Sequence, residues 1–153
     1  MEKTNNNIPT AEELAICIKE SAISVNSTYE QSPVVLMVDD AVIGTLGNFS
    51  ASIGKAKSKK TFNVSAIAAS ALVNGTVLHY RASFPKSKQQ ILYIDTEQGQ
   101  NHCQNVLKRI QLLADLPDDK DVDNLTMLTL RKYSPEMRLA IVEQAIDTIP
   151  NLG

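Results

Sequence analysis

Apolar positions fall into two rhythms along the chain. Leu14, Cys17, Ile18, Ser21, Ala22 and Val25 recur at spacings of three and four, which predicts a helix with one apolar or small face. Thr10 and Glu13 stand where a capping box would start it. Residues 1–9 are polar, include three consecutive asparagines and read as a frayed tail. Residues 26–33 are polar and break the helix. Residues 34–38 are continuous and largely β-branched, which predicts a strand, and Asp39-Asp40 a turn after it. Phe49, Ala51 and Ile53 alternate with Ser50 and Ser52, the period of a second strand.

Residues 61–73 are alanine-rich and apolar nearly all round, as in a helix buried on several sides, and Asn74-Gly75 closes it. Residues 77–84 read as an extra strand or hairpin. Residues 91–95 form a short, almost wholly apolar run, expected of a central parallel strand covered on both faces. Cys103, Val106, Leu107, Ile110 and Ala114 mark a helix face ended by Pro117. Residues 118–123 are acidic and loop-like, and residues 125–130 predict a strand. Ser134 as N-cap and Pro135 at the first position start a last helix, reaching about Thr148. Strands alternating with helices predict an α/β domain with a mainly parallel sheet.

Composition narrows the class. The chain has 153 residues, 43% hydrophobic and 21% charged, in the range of a single folded domain. No apolar run reaches the roughly 20 residues a membrane span requires, and the N-terminus lacks an apolar signal core. The net charge of -2 excludes a generally basic nucleic-acid coat. Two distant cysteines and two histidines give no material for a zinc cluster, so a reduced, cytoplasmic protein is expected.

One segment carries chemistry. Gly54-Lys55-Ala56-Lys57-Ser58-Lys59-Lys60-Thr61 follows an expected strand and opens an expected helix. A phosphate-binding loop of pattern G-x4-G-K-[ST] needs that context. Backbone N–H groups and the helix dipole attract phosphate oxygens there, the lysine neutralises the β/γ-phosphates and the hydroxyl ligates Mg²⁺. Gly54, Lys60 and Thr61 fit, but Lys59 occupies the second glycine's place. A lysine there is tolerable only with a negative φ and its side chain turned away, or it instead adds a charge near the nucleotide. Standing alone, the run reads equally well as a solvated basic loop. The second element is the 91–95 run ending in Asp95-Thr96-Glu97-Gln98. A carboxylate at the tip of such a strand can orient and deprotonate an attacking water. Alone, Asp95 and Glu97 would read as a strand end and a helix cap.

Together these segments resemble RecA-like P-loop ATPases, in particular the replicative-helicase-like ATPases of plasmids and mobilisable elements. The resemblance rests on Gly47-Asn48-Phe49, IGKAKSKKTF at 53–62, ILYIDTEQG at 91–99, VLKRI at 106–110 and SPEMR at 134–138. It covers roughly residues 33–153, leaving residues 1–32 as an N-terminal tail and helix. It implies a three-layer P-loop fold, ATP and Mg²⁺ as cofactors, a ring hexamer and DNA as a partner of the intact protein. Nucleotide contacts would come from Gly54, Lys55, Ala56, Lys57, Ser58, Lys59, Lys60, Thr61 and Phe62. Lys60 would stabilise the transferring charge, Thr61 would hold Mg²⁺ and Glu97 would be the catalytic carboxylate, with Asp95 a lesser metal candidate. The later apolar strand ending in Asp (the second acidic, or Walker B, strand) has no counterpart here, since residues 125–130 run into Arg131. The chain is therefore expected to be the N-terminal part of a longer ATPase, weakly active or inactive by itself.

Two alternatives stay open. Lys55 stands at the extra lysine of partition-type ATPases, although about 50 residues precede this loop. The chain could instead be a DNA-binding or regulatory protein on a degenerate P-loop fold. His79 and His102 have no metal-ligand neighbours in sequence, Cys103 reads as core packing and the KSK run at 86–88 as a solvated loop.

Overall fold

The computed structural model describes residues 9–55 and 58–153. The chain divides into two compact units, Met1–Gln31 and Ser32–Gly153.

In the first unit, helix α1 spans Ala11–Ser21. Its start is the expected capping box: the Glu13 N–H donates to Thr10 Oγ1 at 3.2 Å and the Thr10 N–H to Glu13 Oε2 at 2.7 Å. The backbone turns extended at Ala22, so Ala22 and Val25 leave the helix face that the spacing assigned them. Leu14, Cys17 and Ile18 on that face are exposed.

In the second unit, β1 (Val34–Val38) and β2 (Ala41–Thr45) form a hairpin through Asp39-Asp40, Asp39 taking a positive φ of 47°. Helix α2 covers Lys60–Val73. A second hairpin follows, β3 (Thr76–Val77) and β4 (Tyr80–Ala82), and β4 pairs antiparallel with β1. The four strands lie in the order β2-β1-β4-β3. After one 3₁₀ turn at Lys86–Lys88 come β5 (Ile91–Asp95), α3 (Gln100–Leu113), β6 (Leu125–Thr129) and α4 (Pro135–Thr148). β5 and β6 pair in parallel, from Ile91 opposite Leu125 to Asp95 opposite Thr129.

The core lies where α2 and α3 meet the β5–β6 pair. Ala68, Ala69 and Leu72 pack with Val77, Val106, Ile110, Ala114 and Leu125. Alanine on α2 lets the helices approach closely, while the buried Ser65 and Ser70 bond their hydroxyls to the Thr61 and Ile67 carbonyls of their own helix, both at 2.8 Å. Asn74 ends α2 in the left-handed region, φ 46°. Its Nδ2 donates to the Phe84 carbonyl at 3.0 Å, and its Oδ1 accepts from the Phe84 N–H at 2.6 Å. Gln111, buried on α3, donates to the Pro117 and Lys120 carbonyls and so fastens the acidic loop.

Helix α4 starts as expected, with Ser134 accepting from the Met137 N–H and Pro135 at the first position. Arg138 of the SPEMR segment donates to the carbonyls of Leu130, Tyr133 and Arg131, which fixes the β6–α4 turn. Beyond α4, the Gln90 N–H donates to the Asn151 carbonyl at 3.0 Å and the Gly153 N–H to the Gln90 carbonyl at 2.9 Å. Leu152 thereby opens a parallel ladder beside β5, on the edge opposite β6.

Three expectations need correction. The sheet is mixed and largely antiparallel, because the two-residue connection at Asp39-Asp40 leaves no crossover that could turn β2 parallel. Strand β2 itself escaped the pattern reading, while residues 49–53 join no ladder. Every residue of β5 is half-buried rather than covered on both faces, since among the described residues only Gln90 meets a neighbour on the edge away from β6. The architecture is α/β, but no clear three-layer P-loop fold is shown: among the described residues the only parallel strands are β5 and β6, extended by the Gln90–Leu152 bridge.

Candidate phosphate-binding site

The 54–61 loop runs into the N-terminus of α2. Gly54, Lys55, Ser58 and Lys59 are exposed, Lys60 and Thr61 half-buried, and Phe62 exposed. Ala56 and Lys57 lie outside the described residues. A Cβ at Gly54 would stand 2.8 Å from Ser58 Oγ, so a larger residue there would make the serine side chain turn aside. Lys60 folds back over the loop: its Nζ donates to the Gly54 carbonyl at 2.7 Å and to the Lys55 carbonyl at 3.1 Å. A cation is thus held where the loop enters α2.

Lys59 is the N-cap of α2 and caps it with backbone alone. Its carbonyl accepts from the Phe62 and Asn63 N–H groups, and no side chain supplies a cap. Lys59 holds φ 59° and ψ 23°, in the left-handed region. The negative φ expected for a lysine here is therefore wrong. The turn keeps the backbone shape that a glycine supplies freely, and the Cβ of Lys59 makes that shape cost about 1–2 kcal/mol. With no acidic residue in its first turn, α2 presents its positive dipole end beside Lys59 and Lys60, an electrostatic setting for an anion.

The second set of residues sits at the end of β5. Asp95 is half-buried, and its Oδ1 accepts from the Glu97 N–H at 2.9 Å and the Gln98 N–H at 2.6 Å. It shapes the turn from β5 into α3, leaving its other carboxylate oxygen to spare. Glu97 is exposed on that turn. Thr129 of β6 donates to the Gln98 carbonyl at 2.9 Å and ties the turn to the neighbouring strand. Burial, and next the Asp95 carboxylate, push the Tyr93 phenol above its ordinary value.

The loop brings Gly54, Lys55 and Lys60 together. Among the described residues, no hydrogen bond or ion pair joins Glu97 or Asp95 to it. No group of three or more metal-ligating side chains occurs among them either. His102 is exposed. His79 has a partner that sequence spacing did not reveal: its Nδ1 lies 2.9 Å from Asp39 Oδ1, across the two hairpin turns.

Beside the loop, a groove of about 880 Å³ opens between β1, β2 and α2, its wall including Val35, Leu36, Ile43, Val64, Ile67 and Phe84. No helix is long and apolar enough to cross a membrane among the described residues. Comparison with protein-family models, with curated proteins and with solved structures returns no match.

Proposed function

We propose that the chain binds a nucleoside triphosphate through its 54–61 loop and belongs to the RecA-like P-loop ATPases. The observation that carries this reading is the Lys60 side chain folded onto the Gly54 and Lys55 carbonyls at a helix start without a side-chain cap. Phosphate oxygens offer that ammonium charged acceptors in place of neutral carbonyls, and charge-assisted bonds are the stronger. In this reading Lys60 neutralises the β/γ-phosphates and Thr61 gives its hydroxyl to the accompanying Mg²⁺. Glu97 orients the attacking water from the tip of β5. The parallel rung at Leu152 supports a RecA-like sheet in which a further strand lies against β5. Action on DNA, a hexameric ring, a plasmid or mobile-element origin and a cytoplasmic setting belong to the same proposal and rest on the resemblance alone.

The test is titration of a fluorescent ATP analogue with Mg²⁺ into the chain and its Lys60→Ala variant. Tight binding by the first and loss in the second is expected; equal binding by both sinks the nucleotide reading. One observation favours a second reading, an anion-binding regulator without turnover. Glu97 is exposed and shares no bond with the loop among the described residues. Binding without phosphate release, unaltered by Glu97→Gln, would select it.

A further inference from the structure

Helix α2 has two working faces, and the core takes up one of them through Ala68, Ala69 and Leu72. The other carries Lys60, Asn63, Val64 and Ile67, at the i, i+3, i+4 and i+7 positions that share one side of a helix. Asn63, Val64 and Ile67 line the groove of about 880 Å³ beside the loop, and Val64 and Ile67 stay half-buried in it. Lys60, at the head of the same stripe, is the residue whose ammonium lies on the Gly54 and Lys55 carbonyls. Ser52, two residues before Gly54, lines the groove as well. Residues on both flanks of the loop thus reach the groove.

These features set the chemistry of a ligand. Lys55, Lys59 and Lys60 concentrate positive charge at the acid-free start of α2, which complements phosphate. Val35, Leu36, Ile43 and Phe84 make the adjoining groove apolar. Small-molecule pockets commonly have roughly 300–1,000 Å³, apolar walls and a few placed polar groups. On the hairpin side such groups are engaged: Asn48 Nδ2 donates to Thr45 Oγ1 at 2.8 Å, and Ser50 Oγ donates to the Ile43 carbonyl. Helix α2 adds one polar group to the wall, the Asn63 amide. An amide offers a donor beside an acceptor, which complements the N6–N7 edge of adenine, whereas guanine presents two acceptors there. We propose that the groove holds the adenine of a nucleotide whose phosphates lie at Lys60, with Asn63 reading the base. The inference rests on the nucleotide reading and deepens it by naming the base and the residue that selects it.

The test is competition against an ATP analogue carrying its fluorophore on the ribose, in Mg²⁺, by ATP, GTP and inorganic triphosphate. ATP is expected to displace the analogue at concentrations about tenfold or more below those of GTP and triphosphate. Asn63→Ala should bring ATP to the level of GTP and leave triphosphate unchanged. Asn63 is exposed, so the substitution spares the core. Methyl NMR of the unaltered chain is a second readout: the Val64 and Ile67 signals should shift with ATP and not with triphosphate. Equal displacement by the three competitors, or Val64 and Ile67 methyls that ATP does not move, overturns the adenine site and leaves phosphate binding at Lys60 standing. A preference for ATP that survives Asn63→Ala also overturns it, because another residue then reads the base. Absence of analogue binding overturns the nucleotide reading as well.

Discussion

The Nζ of Lys60 stands 2.7 Å from the carbonyl oxygen of Gly54, so the first residue of α2 reaches back to the start of its own loop. Lys60 is half-buried and its ammonium meets only neutral acceptors, so this contact adds little to folding. Lys60→Ala is expected to lower stability by about 1 kcal/mol or less in urea denaturation. Affinity for Mg²⁺ and ATP should fall about tenfold or more, equivalent to about 1.4 kcal/mol. Comparable losses in both measurements would make Lys60 a structural clasp and remove it from the binding site.

Lys59 holds a backbone shape that its own side chain opposes, φ 59°. Replacing it with glycine removes the clash and restores the motif's second glycine; a gain of about 0.5–1 kcal/mol is expected. Lys59→Ile, branched at Cβ, should lose about 1 kcal/mol or more. Chemical denaturation of the pair measures the sign, and a glycine variant less stable than the parent would contradict the positive φ.

Asn74 combines a left-handed backbone, φ 46°, with two bonds to the Phe84 main chain. Asn74→Gly keeps the backbone and loses the bonds, an expected cost of about 1–2 kcal/mol. Asn74→Ala loses both, and about 2–4 kcal/mol is expected. Equal midpoints for the two variants in urea would show that backbone strain is not part of the cost.

What the chain reveals in advance, and what it conceals, follows from the range of the forces involved. Helices α1 to α4 announce themselves through local signals: the Thr10–Glu13 box, the alanines before Asn74, the Cys103–Ile110 spacing and the Ser134-Pro135 start. Strand direction is not local. Antiparallel pairing of β1 with β4 joins residues more than 40 positions apart, and no periodicity encodes it. Residues 49–53 have a strand's alternation but meet no ladder partner among the described residues, so pattern and structure part there. At the site, motif spacing placed Lys60 and Gly54 in one loop. The left-handed turn at Lys59 and the turn-shaping bonds of Asp95 depend on how the backbone closes, which residue identity leaves open.

The core should respond to volume in both directions. Ile110 is 0% exposed between α2 and the β5–β6 pair, and Ile110→Ala is expected to cost about 2–5 kcal/mol through lost burial and a residual cavity. Ala69, also 0% exposed, faces the reverse problem. Ala69→Leu should cost about 1–3 kcal/mol by forcing α2 away from its neighbours. Thermal unfolding of both variants tests this, and a neutral Ala69→Leu would reveal unfilled space beside α2.

The Glu13 carboxylate accepts from the Thr10 backbone and hydroxyl, which holds its pKa below the ordinary glutamate range. A group whose folded value is depressed stabilises above its unfolded value and loses that contribution as pH falls through the folded one. Helix α1 should therefore fray on acidification below the ordinary glutamate range, and Glu13→Gln should flatten this response. A carbon-detected NMR titration of the Glu13 side chain, followed together with the α1 amides, reads both; an unshifted Glu13 would contradict the box.

The rung at Gln90 has a directional consequence. The Ile91 N–H points toward β6, bonding the Asn124 carbonyl, and the Gln90 N–H points the other way, to Asn151. By alternation the main-chain groups of Leu92 and Ile94 share the side of Gln90. Hydrogen bonds slant in a parallel ladder and run square in an antiparallel one. Leu152 has already set the slant, so a strand that extends this ladder along Leu92 and Ile94 inherits its polarity. The edge is a template with a heading, and whatever chain lies down on it in that register is read from the Gln90 end toward Asp95.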